Sequence, residues 1–203
     1  MSEAPKLLFL DISKTCTGIA DGRVGEVPKF YSIRGNDIDT TSAMMRLGRW
    51  LIDRTKADRP DWIFFEAPMN LFPGQYDPES GKVKSKTNPT TTVTLAKMVG
   101  VVEFVAGMKG IPARTGNVQT IRSKFLGHGR PSNPKKRCRA MCTALGWNPA
   151  NEDEADAGAG FWWAGMTIAP RFYTPITPML QQKVNSPFDM ADAATNEKVR
   201  RNG

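Results

Sequence analysis

The chain has 203 residues, 40% apolar and 24% charged, with 28 Lys plus Arg against 20 Asp plus Glu, a net charge of +8 and a pI near 9.6. That suits one domain with a single real core and favours an anionic partner, nucleic acid or an acidic membrane surface. No apolar run reaches the roughly 18 residues of a membrane span, three cysteines make no disulfide framework, and one histidine leaves zinc without a ligand set, so the chain reads as soluble, cytoplasmic and reduced.

Residues 6–12, KLLFLDI, predict a buried strand, and VPKFYSIRG predicts another beyond a turn region at Gly22 and Gly25. The first segment therefore reads as a strand meander. Met44, Leu47, Leu51 and Ile52 recur at helical spacing over 41–57, with Thr40 or Thr41 as N-cap and Pro60 as terminator. Trp62 to Phe65 form a compact apolar strand ending at Glu66. Residues 69–91 are polar, rich in Pro and Gly, and carry Lys82, Lys84 and Lys86, which predicts a long loop or small hairpin. A long helix follows, with Leu95, Met98, Val99, Val102 and Ala106 on one face. GIPAR predicts a short strand and 116–133 an irregular basic stretch. Pro134, after a Ser132 or Asn133 cap, opens a helix carrying Cys138, Met141, Cys142 and Leu145, stopped at Gly146. The acidic segment from Asn151 leads into a last core helix reaching about Met166. Residues 167–203 read as a peripheral extension. This order predicts an α/β domain over 1–166, a mixed sheet covered by helices.

Two carboxylates interrupt this pattern. Asp11 breaks an otherwise buried strand, and Glu66 ends another; an isolated buried carboxylate is costly unless paired or metal-bound. Strand ends of open α/β sheets are where sites form. Asp153 and Asp156, at i and i+3, share a helix face with Ala157, Gly160 and Ala164 below them, small residues that let a helix approach a sheet closely. Each has a plain alternative, a turn cap or a dipole-favouring first turn, and Glu152 and Glu154 fit the latter. Their joint placement favours hard divalent cations, Mg²⁺ or Mn²⁺, and two such ions about 3.5–4 Å apart suit phosphodiester cleavage. Asp189 and Asp192 repeat the D-x-x-D-A spacing, but the stretch behind them is polar. Cys138 and Cys142 read as core, as does the Trp162–Trp163 pair.

In this order, LLFLDISKTCTGIA, WIFFEAP, TLAKMVGVVEFVAGMKGIPA and DEADAGAGFWWA resemble the RuvC family of Holliday-junction resolvases, within the RNase H-like superfamily, over residues 6–166. The resemblance implies an RNase H-like fold, a five-stranded mixed sheet flanked by helices with the first and fourth strands adjacent. It implies two Mg²⁺ ions, with Asp11 bridging them and Glu66 and Asp156 serving one each; Asp153 stands where relatives carry Asp or His. It implies a homodimer that nicks two opposed strands of branched DNA, a four-way junction. Arg122, with Lys124 nearby, and Lys135 or Lys136 match basic positions that contact DNA, and in the 69–91 loop Phe72 and Tyr76 suit wedges, with Lys82, Lys84 and Lys86 gripping backbone. That loop is longer than in the family, which leaves junction specificity open against a flap nuclease or an RNase H-like enzyme acting on hybrid duplex. A non-catalytic branched-DNA-binding protein is the alternative of another class. A phage origin is compatible with the small, divergent sequence.

Overall fold

The computed structural model describes residues 3–35, 39–67, 75–77, 82–84, 89–128 and 131–201. Strands β1 (Lys6–Asp11), β2 (Cys16–Arg23), β3 (Lys29–Arg34), β4 (Trp62–Glu66) and β7 (Ala113–Gly116) form one sheet, and β5 (Gln75–Asp77) pairs with β6 (Lys82–Lys84) in a separate hairpin. The helices are α1 (Thr40–Ala57), α2 (Pro89–Met108), α3 (Val118–Leu126), α4 (Pro134–Ala144), α5 (Glu152–Ile168) and α6 (Pro178–Arg201). The sheet order is β3-β2-β1-β4-β7. β1, β2 and β3 run antiparallel as a meander, while β4 lies parallel to β1 and β7 parallel to β4. The expected mixed five-stranded α/β sheet flanked by helices is the observed one.

Strand parity divides the core. Leu7 and Phe9 face a cluster built with α3, α4, α5 and α6, whereas Leu8 and Leu10 face a second cluster built with α1 and α2. Because successive side chains alternate across a strand, Asp11 continues the Leu7–Phe9 side. On β4, Phe64 lies in the α5-side cluster, and Glu66 shares its parity. Phe9 pairs with Phe64 in register, so Asp11 and Glu66 end adjacent parallel strands, side by side and facing α5.

α5 fits against this face because it lacks bulk. A Cβ added at Gly160 would lie 2.1 Å from the Phe9 ring, and one at Gly18 of β2 would lie 2.1 Å from the Asp153 carbonyl oxygen. The sequence expectation of small residues admitting a helix therefore holds, extended by a glycine on the sheet side.

Several expectations change. Helix α1 is capped by Asp39, whose carboxylate accepts from the Ser42 amide at 2.8 Å, rather than by Thr40 or Thr41. β2 runs on through Gly22, and the turn falls at Gly25, which has a positive φ of 91°. The basic stretch after β7 is a helix, α3: Asn117 caps it through the Gln119 and Thr120 amides, and Gly127 ends it with φ 76°. The segment Thr90–Met108 of α2, with mean hydropathy 1.4, is long and apolar enough by length and composition to cross a membrane, which corrects the expectation that no segment is.

The extension beyond 166 is not peripheral at its start. Leu180 and Val184 of α6 pack on the α5-side core. The Gln181 side chain donates to the Lys124 carbonyl at 2.9 Å and Asn185 to the Leu126 carbonyl at 2.7 Å, so α6 satisfies carbonyls at the open end of α3. Arg137 of α4, only 3% exposed, donates to Asp189 at 2.7 Å and stacks on Phe188. Asp189 is thus a partner of a buried arginine, and the Asp192 side chain lies outside the described residues. Replacing Asp189 with Ala should lower the melting temperature by a few degrees, a loss of about 1 kcal/mol given its solvent exposure, and leave metal-dependent chemistry untouched. Loss of metal binding in that variant, read by calorimetry, would move the site to the C-terminal repeat.

Candidate active site

The backbone brings four carboxylates to one end of the sheet. Asp11 and Glu66 end β1 and β4, and α5 starts above them with Asp153 and Asp156 in its first turns. Asn151 caps α5, accepting from the Asp153 and Glu154 amides at 3.0 Å each, which fixes where that first turn sits.

The electrostatics follow from crowding acids in a buried place. Burial, then the Glu66 and Asp156 charges, push the Asp11 carboxyl well above the usual carboxylate range. Burial also raises Glu66, with Asp156 adding and Arg122 opposing, and the Asp11 and Glu66 side chains share a hydrogen bond. Asp156 is raised by burial, against the Arg122 guanidinium and a hydrogen bond from the Cys138 thiol. Asp153 goes the other way: burial acts to raise it, but the Lys135 ammonium, a Cys16 hydrogen bond and Arg34 outweigh that and hold it low. Lys135 is correspondingly raised; burial opposes its charge, and Asp153, Asp156 and Asp11 overcome that.

Two cations rim the cluster. Arg122 of α3 lies 3.3 Å from Asp156 and Lys135 of α4 lies 2.6 Å from Asp153. Lys124 and Lys136 sit on the same two helices and are exposed. Phe72 and Lys86 lie outside the described residues. Tyr76, Lys82 and Lys84 fall in the hairpin, where Tyr76 pairs in register with Val83 and Lys82 and Lys84 pair with Asp77 and Gln75.

Among the described residues no three His, Cys, Asp or Glu side chains close around one point as a ready metal cage. Four crowded acids repel, and two of them lean on Arg122 and Lys135. The donor set nevertheless fits a hard divalent ion. Its ligands are carboxylate oxygens, and Asp156 Oδ1 is buried without a hydrogen-bond partner, an acceptor held where a cation would offset its desolvation.

Some residues around the site were not singled out from the sequence. Glu154, expected to be a solvated first-turn acid, is 5% exposed and accepts from Ser32 Oγ, from Asn151 Nδ2 at 2.9 Å and from the Ala150 amide at 2.6 Å, pinning α5 to β3. Cys138 is core, as expected, but its thiol also acts to lower the Asp156 carboxyl against the effect of burial; Cys16 does the same for Asp153. The odd-even parity of Ser32 and the Asn151-x-x-Glu154 cap spacing were the only signals for Glu154. Trp162 and Trp163 pack inside, Trp162 on Phe125 and Trp163 on Phe64.

No protein-family model and no curated protein matches the sequence. Solved structures do match. RuvC of T. thermophilus in complex with a Holliday junction substrate superposes with a TM-score of 0.59 at 16% identity, over 80% of this chain and 96% of that one. RuvC from Thermus thermophilus in a second structure gives 0.56 at 14% identity, over 80% and 95%. The yeast mitochondrial Holliday junction resolvase Ydc2 gives 0.52 at 13% identity, over 85% and 84%. With its β3-β2-β1-β4-β7 sheet and α5 packed over the face of β1 and β2, the chain has the RuvC-type, RNase H-like fold.

Proposed function

We propose that the protein is a metal-dependent endonuclease that cuts branched DNA, a four-way junction first among its substrates, as a homodimer. The observation that carries this reading is the gathering of Asp11, Glu66, Asp153 and Asp156 at one sheet end, with the buried, unpartnered Asp156 Oδ1 among them. Asp11, Glu66 and Asp156 would hold Mg²⁺, two ions per site, with Mn²⁺ able to substitute, and Asp153 would join them once Lys135 is drawn away. Bound there, such ions polarise a phosphodiester and lower the pKa of water. The protein's own groups do the rest. Arg122 and Lys135 stand at the mouth of the acidic pocket and bind the phosphates flanking the cut, offsetting the repulsion between DNA and the carboxylates. The net charge of +8 supports an electrostatic grip on the rest of the duplex arms. The likeness to a RuvC–junction complex supports branched DNA as substrate over linear duplex.

The test is a labelled four-way junction beside a flap, a linear duplex and an RNA–DNA hybrid, each with Mg²⁺ or EDTA. Paired, ligatable nicks in the junction alone are the expected result; cutting confined to the flap or hybrid would replace the reading by a different nuclease specificity. Arg122→Ala should slow cutting by about 10–100-fold and reduce the salt slope of junction binding by about one unit, measured by fluorescence anisotropy across a salt series.

A further inference from the structure

Helix α6 ties together the two helices that carry the cations of the site. Gln181, Asn185 and Asp189 recur at i, i+4 and i+8 and so share one face of it. Toward α3, Gln181 Nε2 donates to the Lys124 carbonyl at 2.9 Å and the Phe125 carbonyl at 3.4 Å, and Asn185 Nδ2 donates to the Leu126 carbonyl at 2.7 Å. Toward α4, Asn185 Oδ1 accepts from Arg137 Nη1 at 3.1 Å. The two halves of one carboxamide therefore serve two different helices. α6 lies beyond residues 6–166, the span that resembles the RuvC family.

The start of α4 depends on the same contact. Its N-cap, Asn133, has a positive φ of 47° and makes no side-chain cap hydrogen bond. Arg137 reaches back instead: Nε donates to the Ser132 carbonyl and Nη2 to Ser132 Oγ, both at 2.9 Å. That guanidinium is buried, and Asn185, Asp189 and the Phe188 ring, all on α6, hold it from the other side. Lys135 sits in this first turn, two residues before Arg137, and Arg122 sits one turn before Leu126 on α3.

We propose that Asn185 is a positioning residue, a clamp that fixes the end of α3 against the start of α4 and so sets the spacing of Arg122 and Lys135 across the carboxylates. The inference rests on the phosphate-binding role given to those two cations above and names what holds them. Phosphate contacts fix the register of a protein on a strand, and two cations do so only at a defined separation. Phe125, Leu126, Cys138 and Met141 share one core cluster, but apolar packing is non-directional, and the hydrogen bonds at the helix ends set how α3 and α4 lie along one another. The contact also asks for this side chain. The Leu126 carbonyl needs a donor and the Arg137 guanidinium an acceptor, and a carboxamide offers both. Aspartate keeps the second alone, and alanine keeps neither.

The test compares Asn185→Ala with Asp189→Ala, which takes an acceptor from Arg137 but leaves α3 untouched. Both should fold, with melting temperatures within a few degrees of each other. Single-turnover cleavage of the junction should fall about tenfold in Asn185→Ala and stay at the wild-type rate in Asp189→Ala, whereas a purely structural role would move the two together. A second readout needs no cutting: junction affinity in EDTA, by fluorescence anisotropy, in a double-mutant cycle with Arg122→Ala. Asn185→Ala should weaken binding by about fivefold in the wild-type background and by less than about twofold where Arg122 is already gone. A protein that binds the junction and cuts nothing would sink the nuclease reading, and the cycle would still decide on the clamp. Asn185→Asp, which keeps the pair with Arg137 and loses only the donor to α3, should show the same coupling to Arg122 and stands in where the alanine variant melts too low to assay. Equal penalties in the two backgrounds would overturn the proposal, as would cleavage by Asn185→Ala at the Asp189→Ala rate.

Discussion

Asp11→Asn should stop cleavage, by roughly a thousandfold or more, while junction binding survives and the metal-free protein becomes more stable. The two effects have one cause. Asp11 is pushed well up by burial and by the charges of Glu66 and Asp156. A carboxyl whose folded pKa lies above its unfolded one binds more protons in the native state, so ionising it destabilises the fold. That penalty is absent below the unfolded value, near pH 4, and grows as pH rises toward the raised folded value. Asparagine removes it, and its amide can still donate to Glu66. Thermal melts in EDTA should therefore show the variant ahead of wild type by a few degrees near neutral pH and level with it at about pH 3. Adding Mg²⁺ should reverse the order, because the wild type gains a ligand that the variant cannot hold. Full cleavage by the variant would show that the carboxylates are not the reactive centre.

Gly18→Ala should damage both stability and activity without touching any charged group. The added methyl would sit 2.1 Å from the Asp153 carbonyl oxygen and 2.9 Å from the Glu154 amide nitrogen, both backbone atoms in the first turn of α5. No rotamer relieves such a contact; the helix end has to retreat by about 1 Å. Overpacking of this kind costs about 1–3 kcal/mol, and a displacement of that size at a reacting centre costs about a hundredfold in rate. Chemical denaturation and single-turnover cleavage would read the two effects separately. Gly146→Ala is the control: its φ of 76° is unfavourable for alanine, but nothing lies within 4 Å and it is remote from the carboxylates, so it should lose stability alone.

What the sequence made legible was what hydrophobic patterning and strand parity control. KLLFLD and WIFFE read as buried strands because their apolar runs are unbroken, and their terminal carboxylates stood out for the same reason. The adjacency of β1 and β4, however, came from the resemblance, since pairing is a long-range property that no local pattern reports. α3 was missed because its Arg122, Ser123 and Lys124 mask the apolar spacing of Val118, Ile121 and Phe125; the Asn117 cap and the Gly127 stop were its visible signals. α6 was undervalued because Pro187 sits inside it and much of its docking is polar, through Gln181, Asn185 and Asp189 beside Leu180 and Val184, which apolar spacing does not reveal. Glu154 was placed in solvent because a first-turn acid normally sits there; the Ser32 and Asn151 side chains that bury it come from other elements.

The pairs Arg122–Asp156 and Lys135–Asp153 neutralise two of the four acids of the resting pocket. Under the proposed function both partners of each pair have somewhere better to go: the acids to a divalent ion, the bases to a phosphate. Either move alone strands a charge, and both together strand none. Ion and DNA should therefore recruit one another, each raising the other's affinity by the same factor, as linkage demands. A pocket arranged in this way holds its metal loosely until a substrate strand arrives, so that loading and engagement become one event.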